Sequence, residues 1–340
     1  MPSCSRAMTE NRTITVYGAS GHTGRFVVSE LLRRGWTPVL AGRDPAKLGQ
    51  GDLEVRAAAV DDPAALDRAL AGAAAVVNCA GPFFHTAGPV VDAALRAGVP
   101  YLDVAAEIEA NVDTFARYDG PARSAGVVVV PAMAFFGGLG DLLATAALGD
   151  WVATDEITIA YALDSWRPTD GTRASGQVSR QRREGRRVVY TAGRLTYTGD
   201  PAPAPEEWDF PPPIGRQPVV PEFTMADSVT IPRHVSVPEI QTYMSLAAVA
   251  DVTDPDLPAL PGGPSSQTFL VDVVARNGAE ERRAVAAGRD IYAISAPLVV
   301  EAAERVLSGE VDAVGALTAA QAFPAEDFLE ALPMEVRVGR

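Results

Sequence analysis

Thr13-Ile-Thr-Val-Tyr-Gly-Ala-Ser-Gly-His-Thr-Gly-Arg25 is the stretch that decides the fold of this chain. β-Branched residues lead into Gly18, Gly21 and Gly24, and an apolar helical pattern follows over residues 26–34. Glycine lets such a turn bend sharply and lets a pyrophosphate approach the backbone, because it has no Cβ. The first N–H groups of the helix then face the phosphates. The stretch predicts a dinucleotide-binding turn, against the alternative of an ordinary glycine-rich loop.

The first 130 residues alternate between strand and helix patterns. Strands are predicted at 13–17, 36–41, 53–60, 74–79, 101–104 and 127–130. Several helices are predicted to begin with a proline, after Asp44, Asp62 and Gly88, because proline lacks an N–H that would be unpaired there. Apolar strands without alternation are typical of a sheet covered on both faces. The pattern predicts an α/β fold with a doubly wound parallel sheet of the Rossmann type.

The pattern changes after about residue 150. Strands are predicted at 156–162, 177–182, 187–197, 241–249 and 269–276, with proline-dense loops at 200–222 and 255–264. Helical patterns return at 292–308 and 325–332. We predict a Rossmann dinucleotide-binding domain formed by residues 1–135 and 290–340. A second α+β, mainly antiparallel domain for substrate binding or dimerisation is predicted over residues 136–289.

Composition narrows the functional class. The 340 residues are 47% hydrophobic and 21% charged, and the formal net charge of −14 argues against nucleic-acid binding. The start has no apolar core of a signal peptide, and the uncharged run 125–140 is too short and broken to cross a membrane. Cys4 and Cys79 are not expected to form a disulfide. No Cys/His cluster has metal-site spacing. A cytoplasmic protein that contacts neither a membrane nor a metal is expected.

The ends of the predicted strands indicate the cofactor. Arg43 follows the second strand, where NAD-binding folds place an acid, so Arg43 is predicted to pair with the 2′-phosphate of NADP, and NAD is disfavoured. Asp61 is predicted to reach the adenine. The remaining predicted cofactor contacts lie in the glycine turn and after the fourth strand: Gly18, Ser20, Gly21, His22, Thr23, Gly24, Asn78, Ala80, Gly81 and Pro82.

Several motifs together carry a family resemblance: Gly18-Ala-Ser-Gly-His-Thr-Gly-Arg25, Ala41-Gly-Arg43, Val76-Val-Asn-Cys-Ala-Gly-Pro-Phe83 and Tyr101-Leu-Asp-Val-Ala-Ala-Glu107. They resemble the saccharopine dehydrogenase-like NADP-binding reductases, a family that includes trans-acting enoyl reductase-like proteins. The resemblance continues more loosely through Gly171-Thr-Arg-Ala-Ser175 and Gly288-Arg-Asp-Ile-Tyr-Ala-Ile294.

This resemblance implies a Rossmann domain, an α+β substrate domain and NADP-dependent reduction of C=N, C=C or C=O bonds. It also implies that Arg173 and Ser175 contact substrate. The lysine that lysine-pathway saccharopine dehydrogenases use for acid–base chemistry has no evident equivalent here. Saccharopine itself is therefore not the expected substrate.

The single lysine, Lys47, excludes a Tyr-x-x-x-Lys catalytic pair. Hydride transfer requires mainly that the substrate is positioned, with an acid to quench the product anion. His85, Tyr101 and Asp103 are the candidates for that acid, and the choice among them stays open. Phe83 and Glu107 are predicted to contact the substrate.

Three functional interpretations remain. The first is an NADP-dependent oxidoreductase that reduces a small organic substrate in a cleft between two domains. The second is a non-catalytic NADP-binding redox sensor. The third is a trans-acting enoyl reductase that acts on a carrier-protein or CoA thioester, with the phosphate held by the arginines Arg180, Arg182, Arg183, Arg186 and Arg187. The same arginines equally suit a solvated turn. The β-rich second domain also suggests a homodimer.

Overall fold

A computed structural model describes residues 12–49 and 51–339 of the chain. The strands are β1 (Thr13–Tyr17), β2 (Thr37–Gly42), β3 (Val55–Ala57), β4 (Ala75–Asn78), β5 (Tyr101–Asp103), β6 (Val128–Val130), β7 (Glu156–Leu163), β8 (Arg187–Thr191), β9 (Arg194–Thr198), β10 (Glu206–Phe210), β11 (Gly215–Pro221), β12 (Glu239–Ser245), β13 (Thr268–Asn277), β14 (Glu280–Arg289), β15 (Gly315–Ala316) and β16 (Glu335–Gly339).

The α-helices are α1 (His22–Arg33), α2 (Pro45–Leu48), α3 (Pro63–Leu70), α4 (Phe83–Ala97), α5 (Ile108–Ala125), α6 (Gly140–Leu148), α7 (Asp170–Arg182), α8 (Asp227–Thr230), α9 (Leu246–Thr253), α10 (Ser295–Leu307), α11 (Ala319–Ala322) and α12 (Ala325–Glu330). No helix within residues 12–49 and 51–339 is both long and apolar enough to span a membrane.

The first sheet has seven parallel strands in the order β15-β6-β5-β4-β1-β2-β3. Its order reverses between β1 and β4, which is the switch point where such sheets bind ligands at their carboxyl edge. The second sheet runs β10-β11-β12-β7-β13-β14-β16, with β8 paired to β12 and β9 paired to β8. Its pairs are antiparallel except β12 with β7. The predicted combination of a Rossmann sheet and a mainly antiparallel second sheet is confirmed.

The aromatic side chains that follow β6 join the two sheets. The Phe135 ring centre lies 4.8 Å from that of Phe269 on β13, and Phe136 lies 5.1 Å from Trp166. Both phenylalanines are buried. Helix α10 packs on α1 and against β4 and β5, as predicted for the helical pattern at 292–308. The domain boundaries remain a prediction. Strand β16, which lies in the segment 290–340, pairs with β14 in the second sheet.

Several local predictions were wrong. Residues 177–182 belong to helix α7 rather than to a strand, and α7 buries no residue, so it has no apolar stripe to reveal it. The predicted loop 200–222 contains the hairpin of β10 and β11. The segment 187–197 forms two strands, and 241–249 changes from β12 to α9 after Ser245. Helix α4 begins at Phe83, and Pro89 lies inside it.

Candidate functional site

The glycine turn opens helix α1 without any side-chain cap. Gly18 has φ +84°, and a Cβ there would lie 2.7 Å from the backbone nitrogen of Ala80. A Cβ on Gly24 would lie 2.3 Å from the carbonyl oxygen of Gly18. Gly21 is the N-cap residue, and the first turn of the helix holds no acidic residue. Ser20 and Thr23, on either side of Gly21, are half-buried. The first N–H groups of α1 are therefore free of side-chain partners, as an anion site requires.

Tyr17, Arg43 and Asp61 meet at the ends of β1, β2 and β3. The Tyr17 hydroxyl donates to the carbonyl oxygen of Ala58 at 3.0 Å. Burial raises the pKa of Tyr17, while the positive charge of Arg43 lowers it and Asp61 raises it. Arg43 and Asp61 are exposed. Within the described ranges, the Arg43 guanidinium has no carboxylate partner, so it is available to an anion.

A buried polar network supports the edge after β4. Asn78, Tyr101 and Asp103 are each 0% exposed. The Asn78 amide donates to the Tyr101 hydroxyl at 3.1 Å, and its Oδ1 accepts from the Ala80 N–H at 3.0 Å. The Thr86 hydroxyl donates to the carbonyl oxygen of Ala80 at 2.5 Å. This network fixes the backbone of residues 78–80 beside Gly18.

Asp103 is buried beneath this edge. Its Oδ2 accepts from the Tyr101 hydroxyl at 2.8 Å, and its Oδ1 accepts from the N–H groups of Ala105 and Ala132 at 3.0 and 2.8 Å. Burial raises the pKa of Asp103 to about 6, against the opposing effect of these hydrogen bonds. Tyr101 and Asp103 are thus placed to hold other groups rather than to meet a solute.

Glu107 and Ser175 come together from different parts of the chain. Glu107 precedes α5, is 9% exposed, and accepts from the Phe83 N–H through Oε1 at 3.1 Å. Burial raises the pKa of Glu107, although the Ser175 hydroxyl and the Phe83 N–H lower it. Its Oε2 has no hydrogen bond of regular geometry to the described residues. A Cβ on Gly81 would lie 2.9 Å from the Ser175 Oγ. Helix α7 therefore covers the edge formed by Gly81, Pro82 and Phe83.

His85 and Phe84 lie exposed on the first turn of α4, next to this edge. Their ring centres are 4.9 Å apart. The Arg182 guanidinium, from α7, lies 4.1 Å from the centre of the Phe84 ring. His85 can reach a solute from this position, which Tyr101 and Asp103 cannot.

Comparison with known proteins gives the family of the first domain. Residues 14–130 match the family model of the saccharopine dehydrogenase NADP binding domain. Residues 14–130 thus form a saccharopine dehydrogenase-type NADP-binding domain. The predicted resemblance and NADP as the cofactor are confirmed.

Curated relatives match about a third of this chain. A probable mitochondrial saccharopine dehydrogenase-like oxidoreductase of Arabidopsis thaliana is 32% identical over 142 residues, which is 36% of this chain and 31% of that protein. A saccharopine dehydrogenase-like oxidoreductase of Mus musculus is 29% identical over 147 residues, 36% of this chain and 34% of that protein. The matches thus span about a third of the relatives. The cytoplasmic location stays a prediction.

A solved structure resembles the whole chain in fold. Apo saccharopine dehydrogenase (L-Glu forming) from Saccharomyces cerevisiae has a TM-score of 0.65 and 11% sequence identity, covering 96% of this chain and all of that one. The saccharopine dehydrogenase-type domain and the second sheet are thus arranged as in that solved structure.

The saccharopine dehydrogenase-type domain fits NADP at the glycine turn. The uncapped start of α1, the close approach at Gly18 and the unpaired guanidinium of Arg43 supply sites for a pyrophosphate and a 2′-phosphate. No group of three or more His, Cys, Asp or Glu side chains in the described ranges could hold a metal ion. Cys79 is a free thiol, whereas Cys4 lies outside the described residues.

Tyr292 is a residue at this turn that sequence reasoning missed. Its ring centre lies 5.2 Å from that of His22, and its hydroxyl accepts from the Trp166 indole at 3.1 Å and lies 2.9 Å from the Thr172 hydroxyl. Burial lowers the pKa of His22. His22 thus contacts the segment between β14 and α10. Tyr292 stands in a motif that carried the family resemblance, which is the signal that could have found it.

Arg173 holds the loop 255–264 rather than pointing at the edge of the saccharopine dehydrogenase-type domain. Its guanidinium donates to the carbonyl oxygens of Asp254, at 3.3 Å, and of Leu257. A Cβ on Gly262 would lie 3.4 Å from the Arg25 Nη1, so this loop reaches the first turn of α1. Residues 255–264 form a loop in the structure, as predicted.

Most of the arginines at 180–187 are already paired. Arg182 binds Asp113 at 3.0 Å and Arg183 binds Glu109 at 2.5 Å, both on α5. Arg186 pairs with Glu184 at 3.4 Å, and Arg187 pairs with Glu222. These contacts attach α7 and β8 to neighbouring elements, and they neutralise the charge that a carrier-protein phosphate would use.

Proposed function

We propose that this chain is an NADP-dependent oxidoreductase that reduces a C=N, C=C or C=O bond of a small organic substrate. The convergence of Glu107 and Ser175 on the edge at Gly81 carries this proposal. It brings a side chain of the second part of the chain to the carboxyl edge of the Rossmann sheet, where such folds bind ligands.

The first domain supplies the cofactor contacts in this proposal. Residues 18–24 direct backbone N–H groups at the pyrophosphate, and Arg43 binds the 2′-phosphate through its planar guanidinium. Asn78 fixes the backbone after β4, against which the nicotinamide half is held. NADPH supplies the hydride when it is bound. The chain contributes position, because the reacting carbon must be held about 3–3.5 Å from the hydride donor.

We assign Glu107 as the proton donor. The sequence analysis predicts this residue as a substrate contact. Burial raises the pKa of its carboxyl group, as a general acid at neutral pH requires. One of its oxygens has no hydrogen bond of regular geometry in the described part of the chain. His85, exposed on the first turn of α4, is the second candidate. Tyr101 and Asp103 are assigned as positioning residues because both are 0% exposed and their side-chain oxygens are already hydrogen-bonded.

Consumption of NADPH with imines, ketones and enoyl thioesters tests this function. We expect one of these classes to be reduced by the wild-type chain. Glu107→Gln should then lower kcat about 100-fold or more without changing NADPH affinity, because the amide is not an acid. Glu335→Gln, an exposed carboxylate on β16, is the matched control and should keep wild-type kcat.

One outcome would contradict the proposed function, and another would contradict only the assignment of the proton to Glu107. NADPH binding without turnover of any class would favour the redox sensor. An unchanged kcat in Glu107→Gln together with a large loss in His85→Ala would move the proton to His85 and leave the hydride transfer intact.

A further inference from the structure

A cavity of about 330 Å³ lies away from the cofactor edge. It is formed by α5 with Val112 and Ala116, by the β8–β9 hairpin with Leu195, and by residues 228–233 after α8 begins. Its walls are mostly apolar. The two polar side chains that matter in it are Ser228 and Arg233.

The cavity is separate from the proposed reduction site. Val112 is five residues from Glu107 along α5, a rise of about 7.5 Å. The ion pair of Arg183 with Glu109 occupies the same helix face one turn nearer to Glu107. The lining of the cavity includes no residue of the glycine turn and none of residues 78–85.

Ser228 presents an unsatisfied hydroxyl in the cavity wall. The residue is 0% exposed, and its Oγ has no hydrogen-bond partner among the residues described. The nearby Thr230 hydroxyl, in contrast, donates to the carbonyl oxygen of Asp227 at 3.3 Å. Leaving a buried hydroxyl unpaired is destabilising, so such groups usually have a hydrogen-bond partner.

Arg233 is an exposed arginine beside this cavity. Its guanidinium carbon lies 4.0 Å from the centre of the Phe115 ring. The Asp119 carboxylate is bound by Arg123 at 3.0 Å, and this hydrogen bond lowers the pKa of Asp119 more than the positive charge of Arg233 does. No ion pair to Arg233 occurs in residues 12–49 or 51–339. A guanidinium stacked on a ring keeps its N–H edges free for a carboxylate.

We propose that this cavity binds a small monocarboxylate with an apolar body that carries one hydroxyl or carbonyl group. Arg233 pairs with the carboxylate, the aliphatic walls contact the body, and Ser228 completes a hydrogen bond with its polar group. A cavity of about 150 Å³ holds a benzene ring, so this one accommodates a ring with a short acidic chain. A branched aliphatic oxo acid is of similar size.

Calorimetric titration tests the site, with 3-phenylpropionate, 3-(4-hydroxyphenyl)propionate and 4-methyl-2-oxopentanoate as probes. We expect saturable one-site binding of at least one probe, unchanged when NADPH is saturating. Arg233→Gln should weaken binding about tenfold or more, as expected for loss of a charged hydrogen bond. Arg180→Gln, an exposed arginine outside the cavity, is the matched control and should bind like wild type.

Two further variants separate binding from folding. Ala116→Trp, at an exposed position of α5, should block the cavity and abolish binding while the chain stays folded. Ser228→Ala should weaken binding of the hydroxylated and oxo probes but not lower the Tm of the free protein, because no native hydrogen bond is lost. Absence of saturable binding for all three probes, or equal binding by wild type, Arg233→Gln and Ala116→Trp, would overturn the proposal.

Discussion

The hydroxyl of Tyr101 donates a 2.8 Å hydrogen bond to the carboxylate of Asp103, and neither side chain has any exposed surface. The same hydroxyl accepts from the Asn78 amide. These two hydrogen bonds link the ends of β4 and β5 beneath the edge where the nicotinamide is proposed to lie. Tyr101 is therefore a positioning residue of the proposed site.

Tyr101→Phe should therefore act on stability first. It leaves the Asp103 carboxylate without its side-chain donor and removes an acceptor from Asn78, which should lower the free energy of unfolding by about 1–3 kcal/mol. Urea unfolding measures this loss. If kcat instead fell by two orders of magnitude with the free energy of unfolding unchanged, Tyr101 would be the proton donor.

The glycine turn makes a second prediction. Gly18→Ala should destabilise the chain and abolish NADPH binding, because φ is +84° and the new Cβ would lie 2.7 Å from a backbone nitrogen. Gly120→Ala in α5 is the control. A Cβ there meets no atom within 4 Å, so the change should stabilise the helix by about 0.5–1 kcal/mol. Normal NADPH affinity in Gly18→Ala would contradict the close approach.

Buried carboxyl groups predict how stability depends on pH. Burial raises the pKa of Asp227 to about 7, with the negative charge of Asp141 adding to the rise. The Tyr161 hydroxyl donates to Asp227 at 2.6 Å and the Gly137 N–H donates at 2.8 Å, and both oppose the rise. The native state keeps this proton at pH values where the unfolded chain has lost it. Stability should therefore fall as pH rises from about 4 to 7.

Two variants check this pH dependence by urea unfolding between pH 5 and 7. Asp227→Asn should reduce the slope by about 1.4 kcal/mol per pH unit, the contribution of one titrating group. Tyr161→Phe removes a donor to the carboxylate, so it should move the upper end of the window to higher pH. Asp103, whose pKa burial raises to about 6, contributes in the same direction. A slope that Asp227→Asn leaves unchanged would show that Asp227 does not titrate in this range.

Local chemistry was enough to predict the glycine turn and two of the helix starts in the first sheet's part of the chain. The Gly18 turn and the caps by Asp44 and Asp62 depend on neighbouring residues, and both aspartates accept from helix N–H groups at 3.1 and 3.0 Å. Strand β2 ends at Gly42, so Arg43 follows the strand directly, at the position predicted to pair with the 2′-phosphate. Each of these signals lies within a few residues of the feature it predicts.

The second part of the chain depends on contacts that no local pattern carries. Helix α7 is held through Arg182 and Arg183 by acids on α5. It therefore has no buried stripe, and the sequence pattern wrongly predicts a strand at 177–182. Tyr292 meets His22 only through the tertiary fold. The closeness of Ser175 to Gly81 is likewise invisible to periodicity, although the family resemblance indicated a substrate contact there.

The most direct test of the account is a calorimetric titration of the wild-type chain and Arg43→Gln with NADPH and with NADH. We expect wild type to bind NADPH at least about tenfold more tightly than NADH, through charge-assisted hydrogen bonds to the 2′-phosphate. Arg43→Gln should lose most of that preference and leave NADH affinity nearly unchanged. Tighter binding of NADH by wild type, or a preference for NADPH that survives the substitution, would contradict it.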